Sequence, residues 1–163
     1  MATSTAAAQC TAVLVSTIAP ITEGGRVLAK QFIRSFEGAK LPYRHHANGM
    51  YSMAIRTRGD YIFFRGQTGY DLEGQFVGEG DAGAQAEQAC KNIKQLAEEA
   101  GGSIKDVCKL TVYVTEVSYR KAVYAMIDKY FEGVKHCSTG VVCSGLALPH
   151  LFVEIDAFAV IDR

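Results

Sequence analysis

The order of strand-like and helix-like segments after Gly49 restricts the fold more than any other feature of this sequence. Read by hydrophobic periodicity, these segments run strand, strand, helix, strand, helix, strand, strand. Helices placed between strands pack on the same sheet, because each element must bury its apolar side against another. The order therefore predicts an α+β fold, in which a mixed sheet carries two helices on one face.

Both predicted helices have an apolar stripe and recognisable ends. The stripe of the first helix consists of Ala86, Ala89, Cys90, Ile93, Ala97 and Ala100. Asp81 is a suitable N-cap, and Gly101 with Gly102 ends the helix. The second helix begins at Ser118 and ends at Gly133. Its apolar side contains Val123, Met126, Ile127, Tyr130 and Phe131.

The strands follow from alternating or continuous apolar residues. Residues 50–56 and 61–65 flank a four-residue turn, which predicts a β-hairpin. Residues 109–115 alternate apolar and polar side chains with the period of a strand. Two further strands, at about 139–143 and 152–161, complete the predicted sheet.

Residues 1–48 are predicted to be an N-terminal extension of uncertain structure, followed by a domain that spans residues 49–163. Within the extension, residues 11–18 fit either a short strand or a loose arm. Residues 26–36 place their apolar side chains on one face of a helix, although Phe32, Arg34 and Phe36 also alternate as they would on a strand. The sequence leaves both alternatives open.

One face of the predicted sheet has no helix to cover it. Phe63, Tyr113 and Phe158 cannot all point toward the helices if their neighbours along the strands do. A sheet face with several exposed aromatic side chains exceeds the apolar patch that a soluble monomer usually tolerates. The pattern therefore predicts self-association.

The composition excludes several classes of protein. Basic and acidic residues both number 17, so there is no surplus of positive charge for nucleic acid or for an anionic membrane surface. Five cysteines without a C-x-x-C spacing argue against a disulfide framework and against a zinc site. The chain contains no apolar run long enough to span a membrane and no basic residue before Arg26, so no signal peptide is predicted and the expected location is the cytoplasm.

Several short motifs, in the same order and at the same spacing, resemble the Rid (reactive intermediate deaminase) or YjgF family. They are residues 49–52, 66–67, 85–86 with 92–93, 106–114 and 153–157. The match that they define runs from about Gly49 to Val160, which is roughly two thirds of the chain. The resemblance implies a chorismate-mutase-like fold, a homotrimer around a central barrel, and a pocket at each subunit interface. It also implies hydrolysis of enamines or imines without a metal or another cofactor.

The resemblance places candidate site residues on this sequence. Glu154 matches the carboxylate that positions or activates the attacking water, and Asp156 follows it on the same strand face, where one carboxylate would raise the pKa of the other. Gly66 matches a pocket-lining backbone position, and Tyr51 matches a tyrosine that contacts substrate.

The chain departs from the family at three pocket positions. The arginine that holds the substrate carboxylate falls here on Ser138 or Gly140. Tyr124 takes the place of an asparagine, and Arg65 takes the place of a serine. Arg65 is therefore a candidate for the missing anion anchor, and slow hydrolysis of the 2-imino acids made from serine or threonine is expected.

Other patterns give weaker signals. The glycine-rich residues 66–83 are not followed by Gly-Lys-Ser/Thr, which excludes a P-loop and favours a loop at the rim of a pocket. His45 and His46 are adjacent, so on a strand they would point to opposite faces, and no metal site is expected.

Two functions from different classes fit these observations. The first is a cofactor-free hydrolytic deaminase, or a related C–N hydrolase, that acts on a small unsaturated nitrogen compound between subunits. Glu154 would activate water, and Arg65, Gly66, Tyr51, Tyr124, Ser138 and Gly140 would contact the substrate. The alternative is a non-catalytic trimer that binds a small molecule or a partner protein. A ribonuclease activity gains no support from the neutral charge balance.

Overall fold

A computed structural model of the chain describes residues 22–23, 26–27, 30–37 and 49–162. The described strands and helices are β1 (Thr22–Glu23), β2 (Arg26–Val27), β3 (Lys30–Glu37), β4 (Met50–Thr57), β5 (Asp60–Phe63), α1 (Ala82–Glu99), β6 (Val107–Val114), α2 (Arg120–Tyr130), β7 (Cys137–Val142) and β8 (Val153–Ile161). The predicted segment 11–18, Cys10, His45 and His46 lie outside the described residues.

The central sheet contains four strands in the order β5-β8-β6-β7. β8 runs antiparallel to both of its neighbours, and β6 runs parallel to β7. A parallel pair requires a long crossover, which the segment containing α2 provides between β6 and β7. The predicted mixed sheet is confirmed.

Both helices lie on one face of this sheet, as predicted. Their apolar residues join those of β6 and β8 in a single buried cluster. In β8, the fully buried Val153, Ile155 and Ala157 alternate with the half-buried Glu154 and Asp156, which therefore point away from the helices. The period of two thus assigns the two acidic side chains to the opposite, open face.

Helix α1 begins and ends as the sequence predicts. The Asp81 carboxylate accepts hydrogen bonds from the backbone N–H groups of Gly83 and Ala84, at 2.8 and 3.0 Å. An N-cap of this kind contributes about 1 kcal/mol to stability, because it satisfies amides that have no partner within the helix. At the other end, Gly101 has a φ of 83°, a conformation that favours glycine.

The predicted hairpin of β4 with β5 is wrong. The turn between them is present, but β4 pairs antiparallel with β3, whereas β5 pairs antiparallel with β8 at the edge of the central sheet. The two strands therefore diverge after the turn. Pairing with β8 brings Ile62 against the buried cluster. In the turn, Gly59 has a φ of 139° and lies so close to the Ile161 carbonyl that a side chain would not fit there.

The strand alternative for residues 26–36 is the correct one, because β2 and β3 lie there. β3 is tied to the domain by Lys30, whose Nζ lies 3.0 Å from Oδ1 of Asp106. The β3–β4 pair meets the central sheet next to β7, where Tyr51 forms a bridge with His136 and the Ser52 N–H donates to the His136 carbonyl.

The open face of the sheet exposes large aromatic side chains. Phe63 is 71% exposed and Phe158 is 42% exposed, and their rings meet edge to face with centroids 5.4 Å apart. Tyr61, two residues before Phe63, is also exposed. The uncovered aromatic face predicted from the strand pattern is therefore present.

No helix among the described residues is long and apolar enough to cross a membrane.

Candidate functional site

A cleft of about 480 Å³ opens where β5 ends and β8 begins. It is lined by Arg65, Gly66, Thr68, Tyr70, Asp71, Leu72, Gly74, Ala147, Leu148, Leu151 and Glu154. The size suits a small molecule. Three of the predicted site residues, Arg65, Gly66 and Glu154, lie together in its wall, and we refer to them as the carboxylate cluster.

Gly66 and Glu154 are in direct contact. A Cβ at position 66 would overlap Oε1 of Glu154 and lie 2.8 Å from its carboxyl carbon, so only glycine leaves room for the carboxylate. The contact follows from the sheet, because Gln67 pairs with Ile155 through two backbone hydrogen bonds of 2.9 and 2.8 Å. This antiparallel pairing holds the backbone around Gly66 against the start of β8, so the Glu154 side chain reaches across to the glycine.

The surroundings of Glu154 favour its protonated form. Burial raises the pKa of the carboxyl above its usual value, and the nearby charge of Asp156 raises it further. Arg65 lowers the pKa of the same carboxyl, because its positive charge stabilises the ionised carboxylate. A carboxyl group with a raised pKa holds its proton more readily, so it can serve as an acid as well as a base, as general acid–base chemistry requires.

Tyr113 extends this acidic surface across the sheet. It lies opposite Glu154 on β6, while Thr111 lies opposite Asp156. The carboxylate of Asp156 raises the pKa of the Tyr113 hydroxyl through its charge and through a hydrogen bond, and Glu154 adds to the effect. The tyrosine therefore stays a hydrogen-bond donor beside the two acids.

Buried amide side chains of α1 support the wall of the cleft. Asn92 donates to the Gln67 side chain at 3.1 Å and to the Tyr70 carbonyl at 2.7 Å. Gln85 donates to the His150 carbonyl at 2.9 Å and accepts from the Phe152 N–H at 2.8 Å. Buried amide side chains whose hydrogen bonds are formed hold the backbone that they contact in a fixed position.

An aromatic group at the rim completes this wall. The Tyr70 hydroxyl lies 2.9 Å from Nε2 of His150, and the Phe76 ring contacts the His150 ring edge to face. Sequence reasoning did not assign Tyr70 to the site. The available signal was the polar pair Gln85 and Asn92 on the buried side of an otherwise apolar helix, which indicates buried polar partners nearby.

The remaining predicted site residues form a second group, which we call the β7 cluster: Tyr51, Tyr124, Ser138 and Gly140. A Cβ on Gly140 would overlap the Tyr124 hydroxyl, so the glycine accommodates this phenol. Burial raises the pKa of Tyr124, and the positive charge of Arg120 and the hydroxyl of Ser138 act to lower it.

Tyr51 is held from several sides within the β7 cluster. Its hydroxyl donates to Oδ1 of Asp128 at 3.3 Å, and its ring meets the His136 ring edge to face. Burial and the charge of Asp128 raise its pKa far above the usual value, so the phenol remains protonated. His136 is 2% exposed, and burial lowers its pKa to about 4.

The two clusters occupy opposite faces of the sheet. Glu154 points to the open face, whereas Gly140 faces Tyr124 of α2 on the helix side. In addition, β6 separates β8 from β7. A single chain therefore does not bring all the predicted site residues into one pocket.

The described residues contain no group of three or more His, Cys, Asp or Glu side chains that could hold a metal ion. Three of the cysteines in this part of the chain have thiols that resist ionisation, which disfavours a nucleophilic role. Burial raises the pKa of Cys90 to about 12, and it also raises those of Cys108 and Cys137.

The architecture defines a class: an α+β protein of YjgF fold with a carboxylate-bearing cleft on one edge of the sheet. The family model described as endoribonuclease L-PSP matches residues 43–161. A RutC family protein of Pyrococcus abyssi is 34% identical over 111 residues, which cover 68% of this chain and 86% of the relative. The chain belongs to the Rid/YjgF family.

Solved structures agree with this assignment. A Rid family protein of unknown function from Yersinia pestis, YyfB, matches 82% of this chain and its own whole length with a TM-score of 0.68, and at 24% identity it shows the fold. RidA of an Antarctic Psychrobacter is 31% identical and matches 69% of this chain and 89% of its own length, with a TM-score of 0.58.

Proposed function

We propose that the protein is a hydrolytic deaminase that acts on a small unsaturated nitrogen compound, such as an imine or its enamine tautomer. The observation that carries the proposal is the Glu154 carboxyl, which lies in the wall of a small-molecule cleft with its pKa raised by burial and by Asp156. Membership of the Rid/YjgF family supports a role in processing small molecules.

Glu154 serves as both base and acid in this proposal. Its carboxylate removes a proton from water as the oxygen adds to the imine carbon, and the C=N electron pair moves to nitrogen. The protonated carboxyl returns this proton to the nitrogen, which gives a neutral carbinolamine. The carboxylate then takes the proton of the carbinolamine hydroxyl and passes it to the amino nitrogen. The C=O bond forms as the C–N bond breaks, and ammonia leaves. One imine and one water thus give one carbonyl product and one ammonia, without a cofactor.

Arg65 has two proposed roles in the cleft. Its charge keeps part of the Glu154 population ionised, which the first proton transfer requires. Its exposed guanidinium also lines the cleft, where it can pair with an anionic group of a ligand.

We infer a homotrimer in which the carboxylate cluster of one subunit meets the β7 cluster of its neighbour. The exposed Phe63 and Phe158 support self-association through the open sheet face. The separation of the two clusters within one chain also supports sites between subunits. A cytoplasmic location fits the neutral charge and the cysteine pattern.

Replacement of Glu154 by glutamine tests the proposal. A pyridoxal-phosphate dehydratase generates a 2-imino acid in place, and release of the 2-oxo acid is compared with the spontaneous rate. We expect the wild type to accelerate hydrolysis over the spontaneous rate, but more slowly than relatives that carry the arginine. Glu154→Gln should abolish the acceleration, and the exposed Glu79→Gln should leave it unchanged. Full activity in Glu154→Gln would refute the role of Glu154.

The experiment also separates the other candidate functions. A trimer that binds small molecules without turnover would show ligand affinity and no acceleration in either form of the protein. A ribonuclease, the activity in the description of the family model, requires a surface that attracts phosphates, and 17 basic residues against 17 acidic residues provide no such surplus.

A further inference from the structure

The cleft has an aliphatic wall in addition to the carboxylate cluster. Leu72, Ala147, Leu148 and Leu151 form this wall. Leu151 is buried, whereas Leu72 is 36% exposed and Leu148 is 42% exposed. Single exposed leucines are ordinary on a protein surface, but these line one concave site together with the Glu154 carboxyl. The wall therefore offers apolar surface that a ligand in the cleft would cover.

Leu72 belongs to a closed turn between β5 and α1. The Asp71 carboxylate accepts hydrogen bonds from the backbone N–H groups of Glu73 and Gln75, at 3.1 and 2.7 Å. The Asp71 N–H donates to the Gln75 carbonyl at 2.9 Å, and the Gly74 N–H donates to the Asp71 carbonyl at 3.1 Å. These hydrogen bonds fix the backbone that carries Leu72.

Leu148 belongs to the loop between β7 and β8, which is also held in place. The Leu151 N–H donates to the Leu148 carbonyl at 3.1 Å and closes a turn. Within this turn, the His150 carbonyl accepts a hydrogen bond of 2.9 Å from the fully buried side chain of Gln85. Because Gln85 belongs to α1, the loop is anchored to that helix.

Tyr70 and His150 connect the two segments that carry the leucines. The Tyr70 hydroxyl lies 2.9 Å from Nε2 of His150. The Phe76 ring lies against both, with its centroid 5.1 Å from that of Tyr70 and 4.6 Å from that of His150. The Tyr70 carbonyl accepts a hydrogen bond of 2.7 Å from the buried Asn92 of α1, the same helix that anchors His150. The contact of Tyr70 with His150 therefore fixes one segment relative to the other.

We propose that the aliphatic wall binds an apolar side chain of the ligand, and that Tyr70 and His150 are positioning residues that keep this wall in shape. The ligand is a 2-imino acid with a branched aliphatic side chain, such as the imine derived from leucine. Contact between its side chain and the leucines removes both from water. The cleft of about 480 Å³ falls in the range of sites that hold ligands much larger than a three-carbon acid.

The inference names a substrate class for the proposed function, and it rests on that function only for the statement that the bound molecule is the substrate. Preference for an apolar side chain is a property of binding. It can be measured with 2-oxo acids, which keep the carboxylate and the side chain of the imine and lack its nitrogen. The test therefore does not require hydrolysis.

The probes are 4-methyl-2-oxopentanoate and pyruvate, with affinities measured by calorimetry on the full-length protein. The first acid has the same charge and three further carbons. Each carbon that becomes fully buried strengthens binding by about fourfold. Because the wall is only partly buried, we expect the wild type to prefer the branched acid by roughly tenfold. Equal affinities for the two acids, or no binding of either, would overturn the inference.

The aliphatic wall is tested by Leu72→Ala combined with Leu148→Ala. This variant should reduce the preference for the branched acid to about twofold and leave the affinity for pyruvate unchanged. Val117→Ala is the control, because Val117 is 67% exposed and does not line the cleft. A tenfold preference that persists in the double variant would refute the role of the leucines.

The positioning role is tested by Tyr70→Phe, which keeps the ring and removes the hydrogen bond to His150. We expect the preference to fall several-fold, with pyruvate affinity and the circular dichroism spectrum unchanged. His150→Leu should have the same effect, whereas His150→Gln keeps a hydrogen-bonding group and should retain the preference. An unchanged preference in Tyr70→Phe and His150→Leu, or an equal loss of affinity for both acids, would contradict this role.

Hydrolysis assays keep the two proposals apart. An amino acid oxidase generates the imines of leucine and alanine in place, and the wild type should accelerate hydrolysis of the leucine imine more. If it accelerates both imines equally, the proposed hydrolysis stands and the aliphatic subsite fails. If it accelerates neither but binds the branched 2-oxo acid more tightly than pyruvate, the hydrolysis fails and the subsite stands.

Discussion

Gly66 and Glu154 are in such close contact that the carboxylate occupies the volume a side chain would need at position 66. A Cβ there would overlap Oε1 and lie 2.8 Å from the carboxyl carbon. Gly66 therefore sets the position of the proton-transferring group, although it has no chemistry of its own.

Gly66→Ala should displace the Glu154 carboxylate and leave the sheet intact. Because a shift of about 1 Å in a catalytic group can cost on the order of a hundredfold in rate, we expect a loss of that size in the imine hydrolysis assay. Gly145→Ala is the matched control, since nothing lies within 4 Å of its Cβ position. Equal rates in the two variants would contradict the positioning role.

The pH dependence of hydrolysis should follow the charges around Glu154. Its carboxyl must be ionised to accept a proton from water, so the rate should rise with pH, with a midpoint above the ordinary value of 4.5. Asp156→Asn removes a repulsive negative charge and should move the midpoint to lower pH. Arg65→Ala removes an attractive positive charge and should move it to higher pH. Shifts in the same direction would contradict this electrostatic account.

The ion pair of Lys30 with Asp106 should stabilise the attachment of β3. Burial alone would raise the pKa of Asp106, but the hydrogen bond and charge of Lys30, together with two hydrogen bonds from Ser103, lower it below its usual value. The contribution is therefore present above the unfolded pKa and is lost as the pH falls through the lower, folded value. Lys30→Met should cost about 1 kcal/mol at neutral pH in urea unfolding. Replacement of the exposed Lys94 by methionine should cost less.

His136 should make the protein sensitive to acid. Burial lowers its pKa to about 4 from an ordinary value of 6.5, so the folded state resists protonation. The associated stability is complete above pH 6.5 and is lost as the pH falls toward 4, by roughly 3 kcal/mol in total. His136→Asn keeps a donor for the Val134 carbonyl and cannot titrate in this range. Its unfolding free energy should fall less steeply between pH 6.5 and pH 4 than that of the wild type.

The oligomeric state should depend on the open aromatic face. Light scattering should give the mass of a homotrimer for the wild type and a smaller mass for Phe63→Lys combined with Phe158→Lys, because charges would replace exposed aromatic rings. Gln95→Lys on the exposed side of α1 is the control. A wild-type monomer at micromolar concentration would refute the trimer.

The fold could be predicted from sequence where one period dominates a segment. The apolar stripe of α1 identified this segment as a helix, and the alternating side chains of β6 and β8 identified those segments as strands. Both patterns also indicated which face of each element is buried. The pairing of β4 could not be predicted in this way. A hairpin signal describes the turn alone, whereas the partner of β4 is β3, which precedes it in the chain and competes for the same backbone groups.

Part of the candidate site could be predicted from the sequence, because the resemblance points to Glu154 and Gly66 and to the position that Arg65 occupies. Glu154, Gly66 and Arg65 do lie in one cleft. The contact between the Arg120 guanidinium of α2 and Gly140 of β7 could not be predicted in this way, because it joins a helix to a strand through space.

The location of the carboxylate cluster and the β7 cluster on opposite faces of one sheet has a genetic consequence. In the proposed trimer, a chain with defective Glu154 can lend an intact β7 cluster to a neighbour, and a chain with a defective β7 cluster can lend an intact Glu154 in return. Two inactive alleles would then complement each other when their products assemble together. Mixed assemblies of Glu154→Gln and Tyr124→Phe chains should regain some hydrolysis that neither homogeneous protein performs.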